Sequence, residues 1–418
     1  MSNITKIVPK RRFKEFQNAG DWEQCKLGTV VEFLKGKDLS WKDIEANGSH
    51  ECILYGHLYT DYGMVINNIN YTTNSYTNDL VLSDYGDVLI PSSDTTPTGL
   101  ARASSVEKSG VLLGGDINVL RPKKHVDGSF LSYNINFNKP QLLRLIKGTT
   151  VKHIYNFDLK GIDISLPNSI EEELKIVSLF KNIDNLITLQ QRKLEKAKAL
   201  KSAYLSEMFP AEGEREPKRR FAGFTDTWEQ RKVGDLTNVA SAARVHKEEW
   251  ASSGVPFFRS SDVVSAYKGN ENEKAFISFE LYEQLTRVSG KLEKDDILIT
   301  GGGSIGIPYI VPNNEPLYSK DADLIWVKST EKFNSRYLYT FFTSPEFRRY
   351  LNGISHIGTI AHYTIEQVKE TPICLPSIEE QNEIGAYFAH LDNLITLQQR
   401  KLEKLQNIKK AYLNEIFI

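Results

Sequence analysis

One thirteen-residue segment, DNLITLQQRKLEK, occurs twice in this chain of 418 residues, at 184–196 and again at 392–404. The segment is varied in composition and contains no candidate nucleophile, metal cluster or phosphate-binding loop. Two identical segments half a chain apart constrain the fold, because both copies are expected to form the same local structure. The chain is therefore predicted to consist of two copies of one unit, and the repeated segment is predicted to be a helix that pairs with its own copy.

The duplication extends well beyond those thirteen residues, at an offset near 208 residues (392 minus 184). The matching blocks are PKRRF at 9–13 and 217–221, GTTVKHI at 148–154 with a looser counterpart GTIAHY at 358–363, and ISLPNSIEE at 164–172 with ICLPSIEE at 373–380. Between these blocks the two halves diverge. Each half is therefore interpreted as a variable globular segment followed by a nearly constant tail.

Both tails have the periodicity of long helices. Apolar residues recur at alternating spacings of three and four, which is a heptad pattern sustained over several turns. Gln190 and Gln398 occupy matching positions on this seam, where a single polar residue can fix the register. Ser169 with Glu172, and Ser377 with Glu380, predict a capping box at each helix start. The seam residues expected to pair the helices are Phe180, Ile187, Leu194, Phe388, Ile395 and Leu402.

Two arrangements can cover these seams. Each predicted helix has about 40 residues, or roughly 60 Å at 1.5 Å per residue, and so long an apolar seam cannot remain exposed. Each helix can pack only on its own domain, or the two copies can pack on each other. The near-identity of the copies favours pairing, since both helices then face the same environment, although a recent duplication also explains it.

Composition indicates a globular chain of two or more domains. Its 40% hydrophobic and 11% aromatic content is ordinary for such proteins, and its length exceeds what one core holds. No run of about eighteen apolar residues predicts a membrane span, and no signal peptide is visible. Three scattered cysteines fit a reducing compartment, so a cytoplasmic location is expected. The net charge of −1 does not itself favour nucleic-acid binding, which gives weight to local basic clusters such as PKRRF and FRRY.

The search for catalytic motifs predicts a chain without catalytic activity and without a metal site. GGGSIG at 301–306 matches the nucleotide-binding pattern G-x-G-x-x-G, but Pro308, Pro312 and Pro316 prevent the helix that this pattern must open. The eight histidines show no metal-ligand spacing. The tetrapeptide typical of amino-methyltransferases that act on DNA bases does not occur.

Polar residues in loops at matching places in the two halves are candidates for DNA contacts. Hydroxyls, lysines and backbone N–H groups suit phosphate contacts, and an arginine paired with guanine is the commonest base-specific contact. For each residue an ordinary turn or a polar surface position is the alternative interpretation. The candidates are His57, Tyr59, Thr60, Ser92, Ser93, Thr149, Thr150, Lys152 and His153 in the first half, and Arg259, Ser260, Asp262, Gly302, Ser304, Thr359, His362 and Tyr363 in the second.

This organisation resembles the DNA-specificity subunits of type I restriction–modification systems. The most specific elements are LPSIEEQNEI at 375–384, which opens the second helix, its counterpart in the first half, and WEQRKVGDL at 228–236. The first copy reads EEELK where the second reads EEQNE, which is a minor departure. The resemblance covers essentially the whole chain.

The resemblance implies an α+β fold with an internal two-fold repeat. Two mixed α/β target recognition domains would alternate with two long helices that pair as an antiparallel coiled coil. The expected bounds are 1–167 for the first target recognition domain, 168–210 for the first helical spacer, 211–217 for a linker, 218–376 for the second target recognition domain and 377–418 for the second helical spacer.

The resemblance also implies a function and partners. Each recognition domain is expected to read one half of a bipartite target in double-stranded DNA and to direct adenine methylation or restriction by partner subunits. Those partners would be two modification (methyltransferase) subunits, which use S-adenosylmethionine, and two restriction (endonuclease/translocase) subunits, which use ATP and Mg. This chain itself is expected to bind no cofactor and no membrane.

Two other functions are compatible with parts of the sequence. A two-headed scaffold could bind protein rather than DNA, and the salt dependence of binding distinguishes the two, because DNA binding falls steeply with salt. A methyltransferase could use the loop at 301–306, but the missing tetrapeptide and the prolines that follow the loop count against it.

Overall fold

The computed structural model describes residues 8–76, 79–319, 324–354 and 362–417. The chain forms two compact units, the first from residues 1–189 and 402–418, and the second from residues 190–401. This division reflects how compactly the residues pack and does not test the bounds expected for the recognition domains and helical spacers, which stay predictions. No helix in the described ranges is both long and apolar enough to cross a membrane.

The globular part of the first unit alternates short strands and helices. The helices are α1 (Leu27–Val30), α2 (His57–Thr60), α3 (Pro97–Leu100), α4 (Gly128–Phe137), α5 (Lys139–Leu145), α6 (Asn156–Leu159) and α7 (Ile170–Glu207), whose last part belongs to the second unit. The strands are β1 (Glu23–Lys26), β2 (Val31–Lys35), β3 (His50–Ile53), β4 (Val65–Ile66), β5 (Thr72–Thr73), β6 (Val81–Leu82), β7 (Asp87–Pro91), β8 (Ser93–Asp94), β9 (Ser104–Val106), β10 (Leu112–Leu113), β11 (Ile117–Pro122), β12 (Lys152–His153) and β13 (Asp163–Leu166).

The main sheet of the first unit has the strand order β2-β11-β7-β9-β4. Its central strand β7 is buried along its whole length, as a continuous apolar run predicts. Val88 and Ile90 pack into the core that contains α4, while Leu89 packs into the core on the opposite face, because successive side chains of a strand alternate. A second sheet has the order β5-β3-β10-β6, and in it β3 and β10 are parallel.

The second unit has the same kinds of element in a similar order. Its helices are α8 (Val233–Leu236), α9 (Ser260–Lys268), α10 (Phe279–Ser289), α11 (Ser335–Thr343), α12 (Pro345–Ile354), α13 (Ile365–Glu370) and α14 (Ile378–Ile416), whose last part belongs to the first unit. Its strands are β14 (Glu229–Lys232), β15 (Val239–Ala240), β16 (Trp250–Ala251), β17 (Val255–Phe258), β18 (Ala275–Ile277), β19 (Ile297–Thr300), β20 (Pro308–Ile310), β21 (Tyr318–Ser319), β22 (Leu324–Val327) and β23 (Pro372–Leu375).

The sheets of the second unit correspond to those of the first. One has the order β15-β22-β19-β20, with the central strand β19 buried and its side chains alternating between two cores, as in β7. The other has the order β16-β18-β17-β21, in which β17 and β21 are parallel, as β3 and β10 are. In each unit the first strand pairs antiparallel with the strand just before the long helix, β1 with β13 and β14 with β23.

The long helices contact each other within each unit. In the first unit Lys409 of α14 forms an ion pair with Asp184 of α7 at 2.5 Å. In the second unit the Gln190 side chain donates to the backbone oxygen of Gln398 at 3.1 Å, and the two side-chain amides are hydrogen-bonded as well. Lys201 pairs there with Asp392 at 2.5 Å. Residue numbers rise along one helix as they fall along the other, which is the order of antiparallel neighbours.

The six predicted seam residues differ in burial. Phe180, Leu194 and Phe388 are buried. Ile187, Ile395 and Leu402 are half-buried. Their assignment as helix-pairing residues stays a prediction.

A phenylalanine just beyond each long helix anchors the helix end in an aromatic cluster. Phe417 packs against Phe130 and Phe180 in the first unit, with ring centroids 5.4 and 5.8 Å apart. Phe209 packs against Tyr337 and Phe388 in the second unit, at 5.5 and 6.4 Å. The helix ends are therefore held by tertiary packing as well as by their own backbone hydrogen bonds.

The arginines of the PKRRF clusters are held in ion pairs and do not provide the free positive charge that the sequence suggested. Arg12 donates to both carboxylate oxygens of Glu172 at 2.7 and 2.6 Å, and Arg220 does the same to Glu380 at 2.7 and 2.8 Å. The preceding arginine of each cluster also forms an ion pair, Arg11 with Glu415 and Arg219 with Glu207.

Only one of the four hydrogen bonds that the two predicted capping boxes imply is found among the described residues. The Ser377 hydroxyl accepts from the Glu380 backbone N–H at 3.3 Å, as predicted. The Glu172 and Glu380 carboxylates, however, bind arginines instead of reaching back to the cap residues, because a buried guanidinium is the stronger partner. The Ser169 hydroxyl bonds to the Glu171 side chain.

Candidate nucleic-acid interface

Two loops that are far apart in the sequence meet in the first unit. Strand β8 pairs with β12, which places Ser93 opposite His153 and Asp94 opposite Lys152. The Ile154 N–H also donates to the Ser92 backbone oxygen at 3.1 Å. The candidates at 92–93 and 149–153 therefore lie side by side at the end of the buried strand β7.

The loop 147–153 presents an exposed tip. Thr149 and Thr150 are exposed, so both stay candidates for contacts with DNA. The Lys152 ammonium donates to the backbone oxygens of Gly148 and Thr149 at 3.0 and 2.7 Å, so it holds the loop as well as carrying charge. His153 is half-buried and stacks on the exposed Tyr155, with ring centroids 5.9 Å apart.

The loop that begins at Ser92 exposes different residues from those proposed. The Ser92 and Ser93 side chains are buried, so they do not present their hydroxyls at the surface. Thr95 and Thr96, which sequence reasoning missed, are exposed, and their hydroxyls donate to the Asp94 carboxylate at 3.3 and 3.1 Å. An added Cβ at Gly99 would lie 1.6 Å from an Asp94 carboxylate oxygen, so a side chain there would displace that carboxylate.

His57 is a core residue and not a surface ligand. It is fully buried, its Nδ1 accepts from the Leu54 N–H at 3.1 Å, and its ring stacks on Tyr71 at 3.6 Å. Burial lowers the pKa of His57 to about 4, so the ring is neutral at physiological pH. Its expected contact with a base is therefore not available in this fold. Tyr59, half-buried, and Thr60, exposed, stay candidates on the same helix.

The glycine-rich loop of the second unit occupies the place that the loop 92–99 has in the first. The Tyr363 N–H donates to the Gly301 oxygen at 2.9 Å, as that of Ile154 does to Ser92. Arg348 donates to the oxygens of Ile305 and Gly306 at 3.1 and 3.0 Å, so this arginine of the FRRY cluster supports the loop. The loop leads into strand β20, not into a helix, as the prolines predicted.

Candidates around this second loop differ in exposure. Ser304 and His362 are exposed, and Gly302 is half-buried. Tyr363 is buried, and its hydroxyl bonds to that of Thr371, so its predicted role in contacting DNA is replaced by one in the core. Thr359 lies outside the described residues.

Arg259 is tied to its own helix. Its guanidinium donates to Asp262 at 2.8 and 3.2 Å and to the Glu273 backbone oxygen at 2.5 Å. Burial acts to raise the pKa of Asp262, but hydrogen bonds from Arg259 and Asn272 outweigh it and hold that pKa below its usual range. Asp262 is buried and Ser260 half-buried, so this group of candidates builds the start of α9 in the present structure.

Comparisons with known proteins identify the family. The model of the type I restriction modification DNA specificity domain matches the chain twice, at residues 19–199 and 225–407. These matches cover most of the chain, which therefore belongs to the family of type I restriction–modification DNA specificity subunits. Its two matched segments are DNA target recognition regions, and its function is to supply the sequence-specific DNA recognition of such a system.

Individual relatives agree with this assignment. The chain is similar to the type I restriction enzyme MjaVIII specificity subunit of Methanocaldococcus jannaschii, with 24% identity over 98% of this chain and 96% of the relative. It is 26% identical to the MjaIX specificity subunit of that organism over 46% of this chain and 44% of the relative. The crystal structure of the type I restriction–modification S subunit from M. genitalium has the same fold, with a TM-score of 0.66, 15% identity and 99% coverage of both chains.

Proposed function

We propose that each unit reads one half of a bipartite DNA target. The observation that carries this proposal is a hydrogen bond that occurs at the same place in both units. The Ile154 N–H donates to the Ser92 backbone oxygen in the first unit, and the Tyr363 N–H donates to the Gly301 backbone oxygen in the second. Each arrangement lies inside one of the two specificity-domain matches. Two equivalent surfaces on one chain suit a target with two separated parts better than a single continuous site.

The two long helices act in this proposal as one antiparallel coiled coil and complete an internal two-fold repeat. Support comes from the ion pairs Asp184–Lys409 and Lys201–Asp392. Asp184 and Asp392 are equivalent positions of the sequence repeat, and so are Lys201 and Lys409, so the same pair forms twice with the two helices exchanged. The buried Gln190, bonded to Gln398, suits a residue that fixes register.

Catalysis is assigned to partner subunits. Two modification subunits would bind S-adenosylmethionine and methylate adenine, and two restriction subunits would use ATP and Mg to move and cut the DNA, all in the cytoplasm. This chain would bind none of these cofactors. The sequence supports this division, because it contains no motif for base methylation and the prolines after the 301–306 loop disfavour a nucleotide site.

The direct test is to map methylated adenines. The chain would be expressed with its modification subunits in a host that lacks other adenine methyltransferases. The expected result is one bipartite motif with methylated adenine in both halves. A continuous motif, or methylation without sequence preference, would contradict the half-site proposal.

A further inference from the structure

Two tryptophans are exposed in a chain that otherwise buries this residue. Of the five tryptophans, Trp22, Trp228 and Trp326 are buried. Trp41 is 54% exposed and Trp250 is 39% exposed. An exposed indole leaves a large apolar surface in water, and tryptophan is enriched at contact sites because it combines apolar area with few rotatable bonds.

Trp41 is held in one orientation. It begins a single turn of 3₁₀-helix, Trp41–Asp43, which the Asp43 carboxylate closes by accepting from the Ser40 N–H and hydroxyl at 2.8 Å each. Its ring packs edge-to-face with His57, with centroids 4.7 Å apart and planes at 87°, and with Tyr71 at 6.1 Å. The buried His57 therefore serves as part of the support for an exposed indole.

Trp250 is held in a similar way. It follows the 3₁₀ turn Lys247–Glu249, in which the Glu249 carboxylate accepts from the His246 N–H at 2.7 Å. Its ring packs against Phe257 at 5.8 Å, and the Arg259 guanidinium carbon lies 5.6 Å from the ring centroid. The ion pair with Asp262 fixes Arg259 in this position.

The two indoles occupy equivalent places. Each lies before a strand, β3 or β17, that pairs in parallel with a later strand and leads into the helix α2 or α9. Each packs against a residue at the start of that helix, His57 or Arg259. The supporting residues differ in chemistry, whereas the exposed ring is common to both, so the ring is the shared element of the two surfaces.

DNA is the occupant that the family assignment supplies, and each ring has basic side chains beside it as well as acids. The exposed Lys42 follows Trp41, and Lys37 precedes it, while the exposed His246 and Lys247 precede Trp250. The acids within the two turns, Asp43 and Glu249, are occupied in closing them. Three other acids lie close to the tryptophans in the sequence: Glu45, which accepts a hydrogen bond from the Asn74 side chain, Asp38 and Glu248.

We propose that Trp41 and Trp250 are DNA-contacting residues, each packing its exposed ring against the bases and deoxyribose of one half-site. This inference rests on the proposed function, because it assigns one indole to each half of the target. Adjacent lysines would contact phosphates, and the apolar ring would contact the thymine methyl or sugar in a groove. The sequence-based candidates did not include either tryptophan.

The test uses the full chain assembled with its modification subunits and a duplex that carries the mapped target. Trp41→Ala is expected to weaken binding to this duplex about tenfold or more, and to reduce discrimination at one half-site only. Trp250→Ala is expected to do the same at the other half-site, so each variant controls for the other. Trp41→Phe and Trp250→Phe should retain most of the affinity. Tyr85→Ala, which removes an exposed ring before β7 at the end opposite the loop 92–99, should leave binding unchanged.

A second measurement does not depend on the variants folding. Duplexes with 5-iodouracil in place of thymine in one half-site would be irradiated with the wild-type assembly, and crosslinked peptides identified. Crosslinks to Trp41 from one half-site and to Trp250 from the other are expected. Crosslinks that avoid both tryptophans, or alanine variants that discriminate as well as the wild type, would overturn the assignment while leaving half-site recognition intact. A wild-type assembly with no preference for either half-site would overturn the proposed function itself.

Discussion

Arg12 and Glu172, separated by 160 residues in the chain, form a bidentate ion pair in the first unit with both side chains buried. The pair joins the segment before the first strand to the first turn of the long helix α7. Arg220 and Glu380 form the same pair in the second unit. Each unit therefore closes on itself through a buried carboxylate and a guanidinium that is buried in the first unit and half-buried in the second.

Breaking this pair should destabilise the first unit strongly. Glu172→Gln leaves Arg12 buried without its counterion, which typically costs about 3–5 kcal/mol. Urea denaturation, followed by hydrogen exchange in α4, would measure the loss. Glu23→Gln, which changes an exposed carboxylate of the same unit, is the matched control and should change the free energy of unfolding by less than about 0.5 kcal/mol. Equal effects of the two variants would show that the ion pair does not stabilise the unit.

The helix contact in the second unit predicts a second effect on stability. Gln190→Leu should cost about 1–2 kcal/mol, because it leaves the Gln398 amide without its partner at the helix contact. The double variant with Gln398→Leu should recover most of that loss, since two apolar side chains then meet. Gln191→Leu, on the exposed face next to it, serves as the control. A double-mutant cycle from denaturation curves would measure the coupling, and additive losses would contradict the contact.

Glu173 predicts a pH dependence that can be assigned to one residue. Burial, with Asp127 and Glu172 nearby, raises the pKa of Glu173 to about 8, although its carboxylate accepts from the Asp127 N–H at 2.7 Å. The folded state thus binds this proton more tightly than the unfolded state. Between the unfolded pKa near 4.5 and about 8 the stability should therefore fall as pH rises.

The second unit suggests the variant that tests this dependence. Gln381 occupies the position of Glu173, accepting from the Asn334 N–H at 2.9 Å and donating to the Pro376 oxygen at 3.0 Å. Glu173→Gln should therefore stabilise the protein at pH 8 by about 4 kcal/mol and flatten its stability between pH 5 and pH 8. Unfolding free energies measured across that range would check this. A variant that is less stable than the wild type at pH 8 would show that Glu173 is ionised and well compensated.

The repeats in the sequence predicted the long helices because their signal is local and periodic. The heptad spacing and the matched Gln190 and Gln398 lead directly to helices that contact each other, and the structure has α7 at Ile170–Glu207 and α14 at Ile378–Ile416. The blocks GTTVKHI and GTIAHY likewise indicated two equivalent segments, and the last residue of each, Ile154 or Tyr363, donates to the backbone after the central strand. Patterns of this kind depend on spacing, which a single sequence contains.

Burial and distant pairing could not be predicted in the same way. The burial of His57 depends on its stacking with Tyr71, fourteen residues later, and no periodic pattern marks so short a helix. The glutamate at position 172 looked like the last residue of a capping box, because nothing in the local sequence shows that Arg12 reaches it. Trp41 and Trp250 were missed because an aromatic residue in a variable segment is more often in the core.

Exchange of one recognition segment tests the central claim most directly. Residues 20–165 would be replaced by the corresponding segment of another family member, and the hybrid expressed with the modification subunits. Sequencing of methylated adenines should show a motif in which one half is new and the other half is that of the wild type, because the second unit is untouched. A motif changed in both halves, or one identical to that of the wild type, would contradict independent reading of two half-sites by the two units.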